Sequence, residues 1–71
     1  MASRVTQVFG VSVAKLRLAE TLFFLGKTVA AQHDARLSAR YLAEMDAALG
    51  DEQTAAARDL RERRAAWANG R

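Results

Sequence analysis

Apolar residues recur between Val11 and Ala31 at the three- and four-residue spacing of a helix that turns by about 100° per residue. They form two neighbouring stripes: Leu18, Leu22, Leu25 and Val29, and Leu16, Ala19, Phe23 and Ala30. Together the stripes cover about half of the circumference, which is wider than the apolar arc of a typical surface helix. The stripes stay in phase through Gly26, so we expect one helix over residues 11–31, although glycine costs about 1 kcal/mol relative to alanine there.

The polar strip of this helix contains one aromatic residue, Phe24, which stands between Phe23 and Leu25. A core formed within one chain would leave a charged or small residue at that position. A single exposed aromatic ring is nevertheless common on protein surfaces. Two interpretations therefore stay open, a partner-binding surface centred on Phe24 or an exposed ring without a role.

Residues 3–9 have a different pattern, because β-branched residues such as Val5, Thr6 and Val8 alternate loosely before Gly10. This pattern predicts an extended segment or a short strand. A lone strand would have to pair with a copy of itself or with the sheet edge of another protein. An early first turn of the helix is the alternative. The chain is accordingly divided into an extended N-terminal arm, residues 1–10, and one small helical domain, residues 11–71.

After Ala31 the phase of the apolar pattern changes. The new stripe contains Leu37, Tyr41, Met45 and Ala48, and it is widened by Leu42 and Leu49. The change indicates a break at the polar segment 32–34, with Asp34 as the N-cap of a second helix over 34–49 that ends at Gly50. A single continuous helix from Ser12 to Leu49 is the alternative.

A third helix is predicted over residues 52–68, because Asp51 and Glu52 suit the electropositive start of a helix. Its apolar face has two large residues, Leu60 and Trp67, which hold a helix of this length weakly. The sequence therefore predicts an all-α fold, a helical hairpin with a loosely docked third helix.

Composition limits the stability that such a chain can reach alone. With 71 residues it forms one domain, close to the size at which a single core barely suffices, and without Cys it has neither a disulfide nor a thiolate metal site. Oligomerisation or docking on a larger body is the remaining source of stability. The net charge of +3 allows weak attraction to nucleic acid without requiring it.

Charged residues interrupt the apolar stretch at Arg17, Glu20 and Lys27, so no membrane span is predicted. The N-terminus also lacks the features of a secretory signal. We therefore expect a cytoplasmic location, with packaging into a virion as the alternative.

No catalytic, cofactor-binding or metal-binding constellation is predicted. His33 is the only histidine, and no second ligand stands at metal spacing. The Leu25–Thr28 sequence lacks the earlier glycine of a phosphate-binding loop, since Leu22 stands at that position. In the arginine-rich segment 58–64, Asp59 and Glu62 alternate with the cations, which favours a solvated, self-paired helix face over a nucleic-acid site.

Two resemblances bear on function. The Arg4–Val8 segment, RVTQV, resembles a segment that recurs in structural proteins of bacteriophages of high-GC hosts, which implies a small virion or assembly component. The order strand, helix, Gly26–Thr28 turn and helix is similar to ribbon–helix–helix DNA-binding dimers. That resemblance implies that Arg4, Thr6 or Gln7 faces bases and that the turn presents backbone amides to a phosphate.

The favoured function is a non-enzymatic structural or adaptor subunit of a multi-chain assembly, homo- or hetero-oligomeric, with a bacteriophage virion component as one form. The alternatives are a dimeric ribbon–helix–helix-like DNA-binding regulator and a small accessory subunit of an enzyme complex. The candidate partner-binding residues are Val5, Gln7, Phe9, Phe23, Phe24 and Trp67. The candidate nucleic-acid contacts are Arg4, Thr6, Arg61 and Arg64.

Overall fold

Three α-helices make up the fold in the computed structural model, which describes the backbone of residues 2–70 and the side chains of residues 13–70. They are α1 (Ala2–Ala31), α2 (Ala35–Leu49) and α3 (Ala55–Asn69), and this described backbone contains no strand. The predicted all-α class is confirmed, and so are the break before Asp34 and the continuity of α1 through Gly26. The molecule is elongated, 48 × 18 × 15 Å, because the 30 residues of α1 span about 45 Å.

The extended arm predicted for residues 3–9 is not found, because α1 begins at Ala2 and not near residue 11. A helix satisfies its backbone hydrogen bonds within the segment, whereas a lone strand leaves them without a partner. The helix penalty of a β-branched residue is smaller, at most about 0.7 kcal/mol each. The side chains of Arg4, Val5, Thr6, Gln7 and Phe9 lie outside the described residues, so their predicted roles stay predictions.

Hydrogen bonds fix both ends of the turn between α1 and α2. His33 has a left-handed φ of 65°, and the amides of His33 and Asp34 donate to the carbonyls of Ala30 and Val29. This pair of bonds is the Schellman arrangement, in which glycine is the usual left-handed residue. The Asp34 carboxylate then accepts the amide of Leu37 at 3.0 Å, which confirms the predicted N-cap.

All three helices contribute to one core, which consists of Ala19, Phe23, Leu42, Met45, Leu49, Ala57 and Leu60. The α1 residues belong to the second predicted stripe, while Leu18 of the first stripe stays exposed. On α2 the buried residues are Ser38, Leu42, Met45 and Leu49. The last three belong to the predicted stripe and Ser38 does not, while Leu37, Tyr41 and Ala48 are half-buried.

The backbones of α1 and α2 approach closely at Gly26. A Cβ atom on Gly26 would lie 3.2 Å from Cδ2 of Leu42 and 3.5 Å from the carbonyl oxygen of Ser38. The buried Ser38 Oγ donates a 2.8 Å hydrogen bond to the carbonyl oxygen of Gly26. The glycine therefore leaves the space that this crossing needs, and the serine fixes the register of the two helices.

The third helix begins later than predicted, at Ala55, and Asp51 and Glu52 lie in the preceding loop. Thr54 is its N-cap, since the threonine Oγ1 accepts the amide of Ala57 at 3.3 Å. Residues 50–53 form the loop because Gly50 takes a φ of 55° and ends α2, as predicted.

We predict that Gly26→Leu lowers the free energy of unfolding by about 2 kcal/mol or more, because the new side chain collides with Leu42. Urea denaturation measures the change. The matched control is Ala43→Leu, an exposed position on α2 that should change stability little. Equal losses in the two variants would contradict the close crossing.

His33→Gly should raise the free energy of unfolding by about 0.5–1 kcal/mol, since glycine adopts the left-handed conformation without steric cost. The neighbouring Gln32→Gly, at a position without positive φ, should lower it by a similar amount. A stabilisation in the second variant and not in the first would refute the assignment of the turn.

Candidate partner-binding surface

Among the described residues, all of the exposed large apolar side chains belong to α1. Phe24 is 63% exposed, Leu18 is 53% exposed and Val13 is 46% exposed. The exposure of Phe24 agrees with its predicted place in the polar strip. A helix that contributes Ala19 and Phe23 to the core therefore also presents apolar surface on its other sides.

Phe23 and Trp67, both predicted to contact a partner, are engaged within the chain. Phe23 is 5% exposed and its ring meets the Trp67 ring edge to face, with centroids 6.0 Å apart and an interplanar angle of 81°. The Lys27 Nζ lies 4.3 Å from the Phe23 centroid, in cation–π distance. The contact between these two aromatic rings docks α3 on α1. The buried Phe23 therefore presents almost no surface to another chain.

The side of α1 that points away from α2 and α3 has its own composition, and we call it the outer face. It consists of Ala14, Arg17, Leu18, Thr21, Phe24, Leu25 and Thr28. Five of these residues are exposed, while Leu25 and Thr28 are half-buried. Arg17 is the only charged residue in the set. The outer face therefore combines two leucines and a phenylalanine with small side chains.

The hydroxyl group of Thr28 does not make the outer face more polar. Its Oγ1 donates a 2.8 Å hydrogen bond to the carbonyl oxygen of Phe24, one turn earlier in α1. This bond satisfies the hydroxyl within the helix, as threonine commonly does. Burial of the threonine against another surface would consequently leave no donor without an acceptor.

The sequence contained a signal for this face that the division of α1 into two neighbouring apolar stripes did not show. Leu18 and Leu25 are seven residues apart, and so are Ala14, Thr21 and Thr28. Leu16, Phe23 and Ala30 have the same spacing on the opposite side, where Phe23 is in the core and Leu16 packs against it. Two separate seven-residue repeats on one helix indicate two packing faces, whereas the two-stripe description merged Leu18 and Leu25 with the core.

Arg61 and Arg64, the two proposed nucleic-acid contacts whose side chains the structure describes, bind groups of the same chain. Arg61 donates to the carbonyl oxygens of Glu52 and Gly50 at 2.6 and 3.1 Å, and it is half-buried. Arg64 forms a 3.1 Å salt bridge with Asp46 of α2. Both side chains therefore fasten α3 to the end of α2. The exposed pair Arg63–Asp59, at 3.2 Å, agrees with the predicted self-paired face.

A cavity of about 160 Å³ lies where α1 meets the loop between α2 and α3. Its walls are Val13, Lys15, Leu16, Leu49, Glu52, Thr54 and Ala56. The lining is mainly apolar, and Thr54 is already committed to capping α3. Among the described residues, no group of three His, Cys, Asp or Glu side chains is arranged to hold a metal ion.

No family model, no curated protein and no solved structure matches the chain. Within the described part of the chain, no helix has both the length and the apolar character that crossing a membrane requires.

We predict that Arg61→Ala lowers the free energy of unfolding by about 1–2 kcal/mol, because two loop carbonyls lose a charged donor. Arg58→Ala removes an exposed arginine of the same helix and should change stability by less than about 0.5 kcal/mol. Chemical denaturation of both variants provides the measurement. A larger loss in the Arg58 variant would rule out the structural role of Arg61.

Proposed function

We propose that the protein is a non-enzymatic structural or adaptor subunit, and that the outer face of α1 binds another protein chain in a larger assembly. The observation that carries this proposal is the exposure of Phe24 and Leu18 on a helix whose opposite side already forms the core. A component of a bacteriophage virion is the finer form of the proposal, and it rests on the resemblance of the Arg4–Val8 segment alone.

The energetics of the exposed side chains support this function. Complete burial of a Phe or Leu side chain stabilises a complex by about 1.5–3 kcal/mol each. Phe24 and Leu18 stand on a preformed helix, so binding orders little backbone, and the cost in conformational entropy stays small. Grouped exposed apolar residues, unlike scattered ones, mark interaction sites on soluble domains.

The arrangement of the cations gives less support to binding of nucleic acid. Arg61 and Arg64, the two candidates with described side chains, are engaged with the loop and with Asp46. The ribbon–helix–helix resemblance needs a strand in residues 3–9 and a turn at Gly26–Thr28, and both segments lie inside α1. We therefore advance protein binding as the function.

The test is the mass of the complex that contains the full chain when it is isolated at native concentration from the cells that produce it. We expect a mass well above the 7.8 kDa of one chain. Phe24→Asp should weaken the complex by at least about 10-fold, because a charge replaces a buried ring. Ala43→Asp, at an exposed position of α2, is the matched control and should leave the complex intact.

Circular dichroism of both variants verifies that the helices are retained. A wild-type chain that is isolated from these cells at the mass of one chain would overturn the proposal. A complex that tolerates Phe24→Asp as well as it tolerates Ala43→Asp would do the same.

A further inference from the structure

The outer face follows the seven-residue pattern of a helix–helix seam. Its central line contains Leu18 and Leu25, and the small residues Ala14, Thr21 and Thr28 lie three or four residues before or after them. Val11 continues the large series in the sequence, although its side chain is outside the described part. The core of the chain uses other positions of the same helix, so packing within one chain does not account for this pattern.

We infer that the occupant of the outer face is the outer face of a second copy of this chain, packed antiparallel to the first. The inference rests on the proposed function and specifies its partner. A two-fold arrangement requires a surface that is complementary to itself. The sizes of the side chains on the outer face and the position of Arg17 make this surface complementary to itself when the two helices run antiparallel.

The sizes of the side chains select the orientation. When the helices run antiparallel with Leu18 opposite Thr21 of the second copy, Leu25 lies opposite Ala14 of the second copy. Both leucines then meet a small residue, which fills the centre of the seam evenly. Parallel helices would place Leu18 against Leu18 and Thr21 against Thr21, so that crowded and under-filled layers alternate. The antiparallel orientation also aligns the helix dipoles favourably.

The residues that flank the seam, Arg17 and Phe24, also favour the antiparallel orientation. Arg17 and Phe24 lie on the same edge of the outer face, and antiparallel pairing brings like edges together. In the register above, Arg17 lies beside Phe24 of the second copy, and the two-fold axis repeats the contact. An arginine over an aromatic ring is a favourable cation–π pair. Arg17 is exposed and has no ion pair among the described residues.

Disulfide trapping tests both the partner and its orientation, since the chain has no Cys. Full-length Ala14→Cys and Leu25→Cys chains are mixed in equal amounts and oxidised gently. We expect the mixed disulfide to exceed the two like-with-like products by about 10-fold, because only the mixed pair lies within the reach of about 7 Å between Cα atoms. Identical positions would be about 16 Å apart along the axis.

The products are separated by mass, since the two variants differ in mass. A mixture of Leu25→Cys with Ala43→Cys, two variants that also differ in mass, is the control and should give no excess of the mixed product. Predominance of like-with-like products would show parallel helices and overturn the inference, and so would a statistical mixture of the three products.

Sedimentation of the purified chain separates this inference from the proposed function. We expect a dimer that Arg17→Ala weakens by about 5-fold, whereas Arg36→Ala, an exposed arginine of α2, leaves it unchanged. A purified chain that stays monomeric at about 1 mM overturns self-pairing. If such a chain still enters a Phe24-dependent complex with another protein, the proposed function stands while the inference fails. If it enters none, both fail.

Discussion

The close crossing of α1 and α2 at Gly26 determines how the rest of the molecule is arranged. A Cβ atom at this position would lie 3.2 Å from Cδ2 of Leu42, so any other residue would push that side chain back by a few tenths of an ångström. The hydrogen bond from Ser38 to Gly26 fixes the register at that point. Because successive residues of a helix are rotated by about 100°, turning Gly26 and Phe23 towards α2 necessarily turns Phe24 into solvent. The outer face is a consequence of the inner contact.

The third helix depends on this arrangement and adds little packing of its own. Its apolar contacts are Ala57, Leu60 and the Trp67 ring against Phe23, and Phe23 is in place because of the α1–α2 crossing. Arg61 and Arg64 supplement these contacts by binding the loop carbonyls and Asp46. Two arginines of the most basic segment of the chain thereby hold α3 to the loop and to α2.

Local signals in the sequence were sufficient for the break between α1 and α2 and for the end of α2, but not for the starts of α1 and α3 or for the choice of buried faces. Asp34 and Gly50 are recognisable as caps because their chemistry is local. Periodicity groups Leu18 with Leu25 and Leu16 with Phe23, yet it does not say which group meets α2. That choice follows from the Gly26 crossing, a contact between distant segments. Ser38 was missed for the same reason, since its hydroxyl is tolerated in the core only because it reaches the Gly26 carbonyl.

Small residues lie next to large side chains on both sides of α1. On the inner side, Gly26 leaves space for the large side chain of Leu42, and the small residue Ala19 is fully buried in the core. On the outer side, Ala14, Thr21 and Thr28 are small and stand between Leu18 and Leu25. A helix that met only solvent on this side would gain nothing from such an ordered alternation of large and small residues, and charged residues would serve it better. Such an alternation favours the packing of another helix on the outer face. For that reason we propose that α1 packs against α2 and α3 on one side and against another chain on the other.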